Sequence, residues 1–328
     1  MTAIVSVRDL ALDYVTGDGI VRALDGADLE VPEGVALGVV GESGSGKSTL
    51  GLAVGRLLPG NLRRSGGDLT IRGRSVFACS PEEMRRLRRD LMGFVFQNPM
   101  QALDPTMRVG AQLALAHGDA RPSRDALIGE LDRVGLREPE RVLRSYPHEL
   151  SGGMAQRVVI AMAIARKPQI LIADEPTASL DATIRDQVLK VLLAQSRAVG
   201  ATMLLLSHEL HVVARVCEMV AVMYGGRVVE FGAAARVFRR PVHPYTRALL
   251  RAAPGHEPRR MILKPIPGMP PVLRGPSQGC AFAPRCDLAA PICTTSRPPA
   301  RMVDGRQVLC HFAEESLALS ERVEEAVP

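Results

Sequence analysis

Gly41-Glu42-Ser43-Gly44-Ser45-Gly46-Lys47-Ser48-Thr49 follows an apolar run, Leu37-Gly38-Val39-Val40, and precedes a helical pattern from Leu50 to Leu58. Strand, glycine-rich turn and helix in that order, with G-x-x-x-x-G-K-[ST] across the turn, fit a phosphate-binding P-loop. Glycines let successive backbone N–H groups point into one concavity, and a helix N-terminus adds partial positive charge. Lys47 can reach the β- and γ-phosphates of a nucleotide, and the Ser48 hydroxyl can ligate Mg²⁺. The alternative is a Gly/Ser turn before a core helix. The Lys-Ser pair in its strand–helix context argues against it.

Upstream, residues 4–35 read as β-structure. Val5 and Val7, then Leu10, Leu12 and Tyr14, alternate in two short runs, and Asp18-Gly19 signals a hairpin. Tyr14 suits either adenine stacking or a half-buried strand position. Downstream, Pro59-Gly60 is expected to stop the P-loop helix, and Gly66 to Phe77 reads as a strand pair. Ser80-Pro81-Glu82-Glu83 is a helix start with Ser80 as N-cap, Pro81 at N1 and Glu83 at N3. Gly93 to Phe96 reads as a buried strand that delivers Gln97 at its end, where α/β folds put ligand contacts. Residues 98–148 are punctuated by prolines and read as an inserted helical subdomain. Ser151-Gly152-Gly153-Met154-Ala155-Gln156 opens a further helix and offers either a second anion site or an ordinary N-cap. Ile170 to Ala173 is an apolar strand ending in Asp174-Glu175; in a P-loop protein that Asp holds the Mg²⁺ shell, and Glu175 is placed to polarise a water. A helix over 182–198 and a buried strand from Ala201 to Leu206 then deliver Ser207-His208-Glu209.

Composition sets the outer limits. The 328 residues, 46% of them hydrophobic, suffice for one large domain and an appendage. A net charge of +6 permits anionic partners without arguing for them, and 3% aromatic residues leave little for stacking single-stranded nucleic acid. No signal peptide is evident, and the longest apolar run, Val158 to Ala165, falls well short of the ~20 residues of a spanning helix. Six cysteines in a cytosolic chain suggest metal or chemistry more than disulfides.

Taken together, the P-loop, the strand-end Gln, Leu-Ser-Gly-Gly-x-x-Gln, Asp-Glu-Pro-Thr, Ser-Leu-Asp and the strand-end His resemble the ATP-binding subunits of ABC transporters over residues 4–235. The resemblance implies an α/β P-loop NTPase (RecA-like) core with an antiparallel β-subdomain and a helical subdomain at about 98–154, all within 1–240. It implies ATP contacts from Tyr14, Gln97 and the loop residues Gly41, Ser43, Gly44, Ser45, Gly46, Lys47, Ser48 and Thr49. Mg²⁺ would be held through Ser48, Gln97 and Asp174. Glu175 would be the catalytic carboxylate, His208 the switch histidine and Asp181 the D-loop residue. Ser151, Gly152, Gly153 and Gln156 would meet the ATP of a second, head-to-tail subunit, so the two anion sites of one chain serve different nucleotides. Departures are small: Val35, Ala155, Ser179 and Glu209 replace residues common in the family, and none removes a reacting group.

Residues 241–328 narrow the resemblance. His243-Pro244-Tyr245-Thr246-Arg247-Ala248-Leu249-Leu250, Ile266-Pro267-Gly268-Met269-Pro270-Pro271 and Gly279-Cys280-Ala281-Phe282-Ala283-Pro284-Arg285-Cys286 are similar to the tail of oligopeptide, dipeptide and nickel importer ATPases. Cys280, Cys286, Cys293 and Cys310 fall in one short segment (280–311), while Cys79 and Cys217 lie apart. Thiolates spaced C-x5-C-x6-C-x16-C can converge on a soft metal centre, and the spacing lacks the C-x2-C pairs usual for zinc. The resemblance favours a [4Fe–4S] cluster on these four; Zn²⁺, with His311 replacing a cysteine, and free thiols are the alternatives.

The implied function is ATP hydrolysis coupled to peptide uptake at the cytoplasmic face of the cell membrane. The implied partners are two membrane-spanning permease subunits, a second related ATPase and an extracytoplasmic solute-binding protein, with no nucleic acid. Nickel or another small solute as cargo is the first alternative. A soluble ATPase acting on nucleic acid or ribosomes is disfavoured by the single nucleotide-binding domain and the importer-type tail. A non-hydrolysing regulatory subunit is disfavoured by Glu175 and His208.

Overall fold

The computed structural model describes residues 2–118, 120–178, 180–252 and 265–325. The chain falls into two compact units, residues 1–79 with 206–328, and residues 80–205. The first unit thus takes in both sides of residue 240.

The first unit opens with two long antiparallel strands, β1 (Ala3–Thr16) and β2 (Gly19–Pro32), whose two-residue turn pairs Thr16 with Gly19. The broken alternation of β1 is a β-bulge. Asp9 takes φ +46°, the register against β2 shifts between Val7 and Leu10, and the inward set moves from Val5 and Val7 to Leu10 and Leu12. β3 (Ala36–Val40) is buried along its whole length, as a short all-apolar strand must be. The P-loop follows and leads into α1 (Lys47–Val54).

That helix ends four residues before the expected Leu58. Arg56 at φ +47° donates its N–H to the Ala53 carbonyl, and Leu57 donates back to Leu52. These two bonds form a Schellman cap with arginine in the left-handed position usually given to glycine, so the stop precedes Pro59-Gly60. β4 (Leu62–Ile71) and β5 (Arg74–Ser75) complete a four-stranded sheet, ordered β2-β1-β4-β5.

The second unit begins with α2 (Pro81–Leu91) and its expected capping box: Ser80 Oγ accepts from the Glu83 N–H, and the Glu83 carboxylate accepts from the Ser80 N–H. β6 (Met92–Val95) leads into the helical insert α3 (Pro99–Ala102), α4 (Val109–Ala116), α5 (Arg124–Arg133) and α6 (Pro139–Arg144). α7 (Gly152–Ile164), β7 (Ile170–Asp174), α8 (Ala182–Ala198) and β8 (Thr202–Ser207) follow; the strands are ordered β8-β7-β6.

The last residues of β8 return the chain to the first unit, which continues through α9 (Leu210–Val216), β9 (Met219–Tyr224), β10 (Arg227–Ala233), α10 (Ala234–Arg239) and α11 (Pro244–Ala252). The C-terminal segment adds α12 (Pro291–Thr295), β11 (Arg301–Val303), β12 (Arg306–Val308) and α13 (Ala313–Glu325). In this unit the strands run β11-β12-β10-β9-β3, with β3 and β9 parallel and the others antiparallel. The segment after residue 241 is therefore an extension of the sheet. It also carries an apolar cluster of Val242, Val303, Val308, Cys310 and Ala313. No helix among the described residues is long and apolar enough to cross a membrane.

Candidate nucleotide site

The P-loop bends back from β3 and enters α1 through Gly46, its N-cap, at φ +103°. A Cβ there would stand 2.7 Å from the Ala23 carbonyl oxygen, so backbone strain and backbone contact both require glycine. Ser43, Gly44 and Ser48 are exposed, which leaves the outer rim of the loop open. Lys47 is buried, and its ammonium donates to the carbonyl oxygens of Gly41 (2.8 Å) and Glu42 (2.9 Å). The Ser45 hydroxyl is buried without a hydrogen-bond partner. A helix N-terminus with its first N–H groups unspent within the helix, a lysine alongside and an open rim is a cradle for phosphate. Tyr14 is half-buried on β1, its hydroxyl 3.5 Å from Thr49 Oγ1. His208 is exposed just after β8, and the Ser207 hydroxyl accepts from the Glu209 N–H at 3.0 Å.

In the second unit, β6 and β7 are parallel with Val95 opposite Ala173. Gln97 and Glu175 therefore leave their strands in step, each two residues past the last registered pair. Gln97 Nε2 donates to Glu175 Oε2 at 3.3 Å. Glu175 takes φ +44°, a left-handed backbone rarely adopted by a non-glycine residue. Asp174 beside it is half-buried.

Ser151 is the N-cap of α7, its hydroxyl accepting from the Met154 N–H at 3.3 Å. Gly153 permits close packing: a Cβ there would lie 2.6 Å from Ile184 Cγ2 on α8. Ser151 and Gly152 are exposed. Gln156 is wholly buried, and neither of its amide atoms has a hydrogen-bond partner. Asp181 is the exposed N-cap of α8. Ser179 lies outside the described residues.

The four cysteines of the C-terminal segment line one cavity, together with Phe282 and His311. None of the six cysteines is joined in a disulfide. Among the described residues no set of three or more His, Cys, Asp or Glu is arranged to hold a metal ion, so the arrangement does not bear out the expected metal or cluster site. Burial, with a smaller contribution from the neighbouring cysteines, pushes the Cys286 thiol up to about 11 and the Cys310 thiol up to about 12. Burial also pushes His243 down to about 3. A ring nitrogen of His311 lies 3.0 Å from the Ser296 carbonyl oxygen.

Two carboxylates from the core hold this segment, and neither was singled out by the sequence. Asp25 on β2 receives Arg297 Nη2 at 2.9 Å from both of its oxygens and accepts from the Ser277 N–H and hydroxyl. Burial raises its pKa, but Ser277 and Arg297 outweigh that and hold it below the ordinary 3.8. Glu42, the second residue of the P-loop, pairs with Arg285, the residue before Cys286. Tyr245, quoted above only for its resemblance, accepts the Glu42 N–H at 2.8 Å.

The fold and the cradle define a P-loop ATPase, and the comparisons agree. The ABC transporter family profile matches residues 24–178, and that of the oligopeptide/dipeptide transporter C-terminal region matches residues 229–293. A probable peptide ABC transporter ATP-binding protein of Sinorhizobium fredii is 43% identical, covering 90% of each chain. The oligopeptide transport ATP-binding protein OppD of Escherichia coli is 40% identical, covering 96% of this chain and 95% of its own. A dimeric bacterial ABC transporter cassette superposes with a TM-score of 0.62 at 29% identity, over 70% of this chain and 98% of that one. A further structure of that cassette is a post-hydrolysis state bound to ADP and phosphate, with a TM-score of 0.62. The chain belongs to the ATP-binding subunits of ABC transporters, in the branch that carries the oligopeptide/dipeptide C-terminal region.

Proposed function

We propose that this chain hydrolyses ATP at the cytoplasmic face of the cell membrane to drive import of di- and oligopeptides. The observation that carries the reading is the extent of the likeness: relatives described as peptide-transport ATP-binding proteins match through the nucleotide core and the C-terminal segment alike.

Lys47 and the N–H groups of the P-loop bind the phosphates, and Tyr14 packs on the adenine. Ser48, Asp174 and Gln97 would be the ligands of Mg²⁺, which when bound would supply charge to neutralise the phosphates. Glu175, restrained by Gln97, orients and polarises the attacking water, and His208 contacts the γ-phosphate. Ser151, Gly152 and Gly153 present the α7 N-terminus to the ATP of a second, related ATPase, with Asp181 beside it. Gln156 supports that turn from behind, because its side chain is buried. The dimeric state of the similar cassette supports this pairing.

A groove in the second unit with an apolar floor at Phe94, Phe96 and Met162 and basic rims at Arg88, Arg89 and Arg166 suits a cytoplasmic segment of each permease subunit. An extracytoplasmic binding protein delivers the cargo. A [4Fe–4S] cluster held by Cys280, Cys286, Cys293 and Cys310 is the reading that the sequence resemblance favours, and the one structural observation in its support is that all four residues line the same cavity. The cluster would supply a cation charge that allows these buried thiols to ionise together. Iron and acid-labile sulfide should be found in anaerobically purified protein; zinc without iron would contradict the cluster.

The transport reading is tested in native cells carrying Glu175→Gln at the chromosomal locus. Uptake of a radiolabelled tripeptide should be lost while the protein remains at normal abundance. Unchanged uptake would reject the function.

A further inference from the structure

We propose that Arg285, in the cysteine segment, is a positioning residue for the nucleotide: acting through Glu42, it fixes the first turn of the P-loop in its binding-ready shape. The inference rests on the P-loop binding ATP and adds a control on that binding from outside the nucleotide motifs.

The Arg285 side chain is 4% exposed, and all five of its N–H groups are spent. Nη1 donates to Glu42 Oε2 at 2.7 Å and to the Tyr224 hydroxyl at 3.1 Å; Nη2 donates to Glu42 Oε1 at 3.0 Å and to the Ile266 carbonyl at 3.4 Å; Nε donates to the Pro267 carbonyl at 2.7 Å. The pair is a bidentate fork, the form in which an arginine–carboxylate contact fixes orientation as well as distance. Arg285 ends a three-residue 3₁₀ turn, Ala283–Arg285, so its backbone is anchored too.

Glu42 is held on every side. Its N–H donates to Tyr245 Oη at 2.8 Å. Its carbonyl accepts from Lys47 Nζ at 2.9 Å and from the Ser45 N–H at 3.2 Å. Tyr245 is fully buried in an aromatic cluster, tilted against Tyr224 and edge-on to Phe282 at centroid separations of 4.4 and 5.4 Å. Residues 41 and 42 supply both carbonyls on which Lys47 rests, so the position of Glu42 sets where that lysine starts from when phosphate arrives. Without Arg285, the Glu42 carboxylate loses its counter-charge in a largely buried place, and the cheapest response is to swing toward solvent, carrying the turn with it. ATP must then reorder the turn as it binds, which weakens affinity. The groups assigned to the chemistry are untouched, so the loss falls on KM rather than kcat. Because Arg285 immediately precedes Cys286, any rearrangement of the cysteine segment is transmitted along the same fork to the nucleotide.

The test is a double-mutant cycle on the full chain with Arg285→Met, Glu42→Gln and the two combined, plus Arg285→Lys. The readouts are ATP affinity by titration with a fluorescent analogue, KM and kcat for hydrolysis, and thermal melting. Arg285→Met should weaken affinity about 10-fold and raise KM in proportion, and Arg285→Lys, which keeps the charge and loses the fork, should recover part of this. Glu42→Gln should weaken affinity to the same degree, and the double variant should be no worse than either single one. Should Arg285→Met fail to fold, the cycle of Arg285→Lys with Glu42→Gln still reports the coupling. Multiplicative losses in the double variant, or a lowered melting temperature with affinity unchanged, would overturn the proposal. Absence of ATP binding by the unaltered chain would instead remove the nucleotide reading itself.

Discussion

The P-loop and the four-cysteine segment lie in the same compact unit, and each is a stretch with little regular structure of its own. They are held by opposite means. The P-loop is shaped by backbone: Gly46 turns at φ +103°, α1 presents its N-terminus, and Lys47 rests on two carbonyl oxygens. The cysteine segment is shaped by side chains reaching across the unit: Arg297 to Asp25, Arg285 to Glu42, and Phe282 into the Tyr224–Tyr245 cluster. A site built from backbone is written in consecutive residues and tolerates almost no change. A segment docked by side chains is written in distant residues, its two ion pairs more than 200 positions apart, and each contact can be loosened by degrees.

The largest expected effect belongs to neither region and sets the scale for both. Glu175→Gln should cut turnover by about 10²–10⁴-fold while ATP binding persists, as read by steady-state hydrolysis beside a binding titration. On the backbone-built side, Gly46→Ala combines an unfavourable φ with a contact to the Ala23 carbonyl. It should cost about 3 kcal/mol of nucleotide affinity, roughly 100-fold. On the side-chain-built side, Asp25→Asn should lower unfolding stability by about 3 kcal/mol in denaturant titrations, and affect ATP affinity much less than Gly46→Ala does. The pH dependence sharpens this. Asp25 has its folded pKa depressed, so its contribution is complete above 3.8 and is lost as pH falls through the lower folded value. The unaltered chain should therefore lose stability in that acid window by more than Asp25→Asn does. Smallest of all, if Tyr14 stacks on the adenine as proposed, Tyr14→Leu should weaken ATP binding about 5-fold and Tyr14→Phe hardly at all, since stacking uses the ring and not the hydroxyl.

Legibility in the sequence follows the same division. The P-loop, the Ser80 capping box and the Ser151 cap rest on local rules that span a few residues, and each stands where those rules put it. Gln97 and Glu175 were readable as strand ends, and the parallel register of β6 and β7 explains why both emerge at one level. The end of α1 was misread because the left-handed residue of its cap is Arg56, not a glycine. The β11–β12 hairpin was missed although Asp304-Gly305 is a good two-residue turn signal, here at φ +48° and +71°. With only three residues in each strand, no alternation could develop. The arginine–carboxylate pairs had no local signature at all. Arg285 and Arg297 read as two among 41 basic residues, and only the folded chain brings them to Glu42 and Asp25.

The central claim, that these two regions belong to one ATP-driven peptide import subunit, is tested most directly on the complex purified from native membranes in mild detergent. Mass spectrometry should find two multi-spanning proteins and a second ATPase travelling with this chain. ATP hydrolysis by that complex should rise several-fold when the peptide-loaded binding protein is added, and should vanish with Glu175→Gln. Recovery of the chain only in the soluble fraction, with ribosomes or nucleic acid, or hydrolysis indifferent to peptide, would contradict the account.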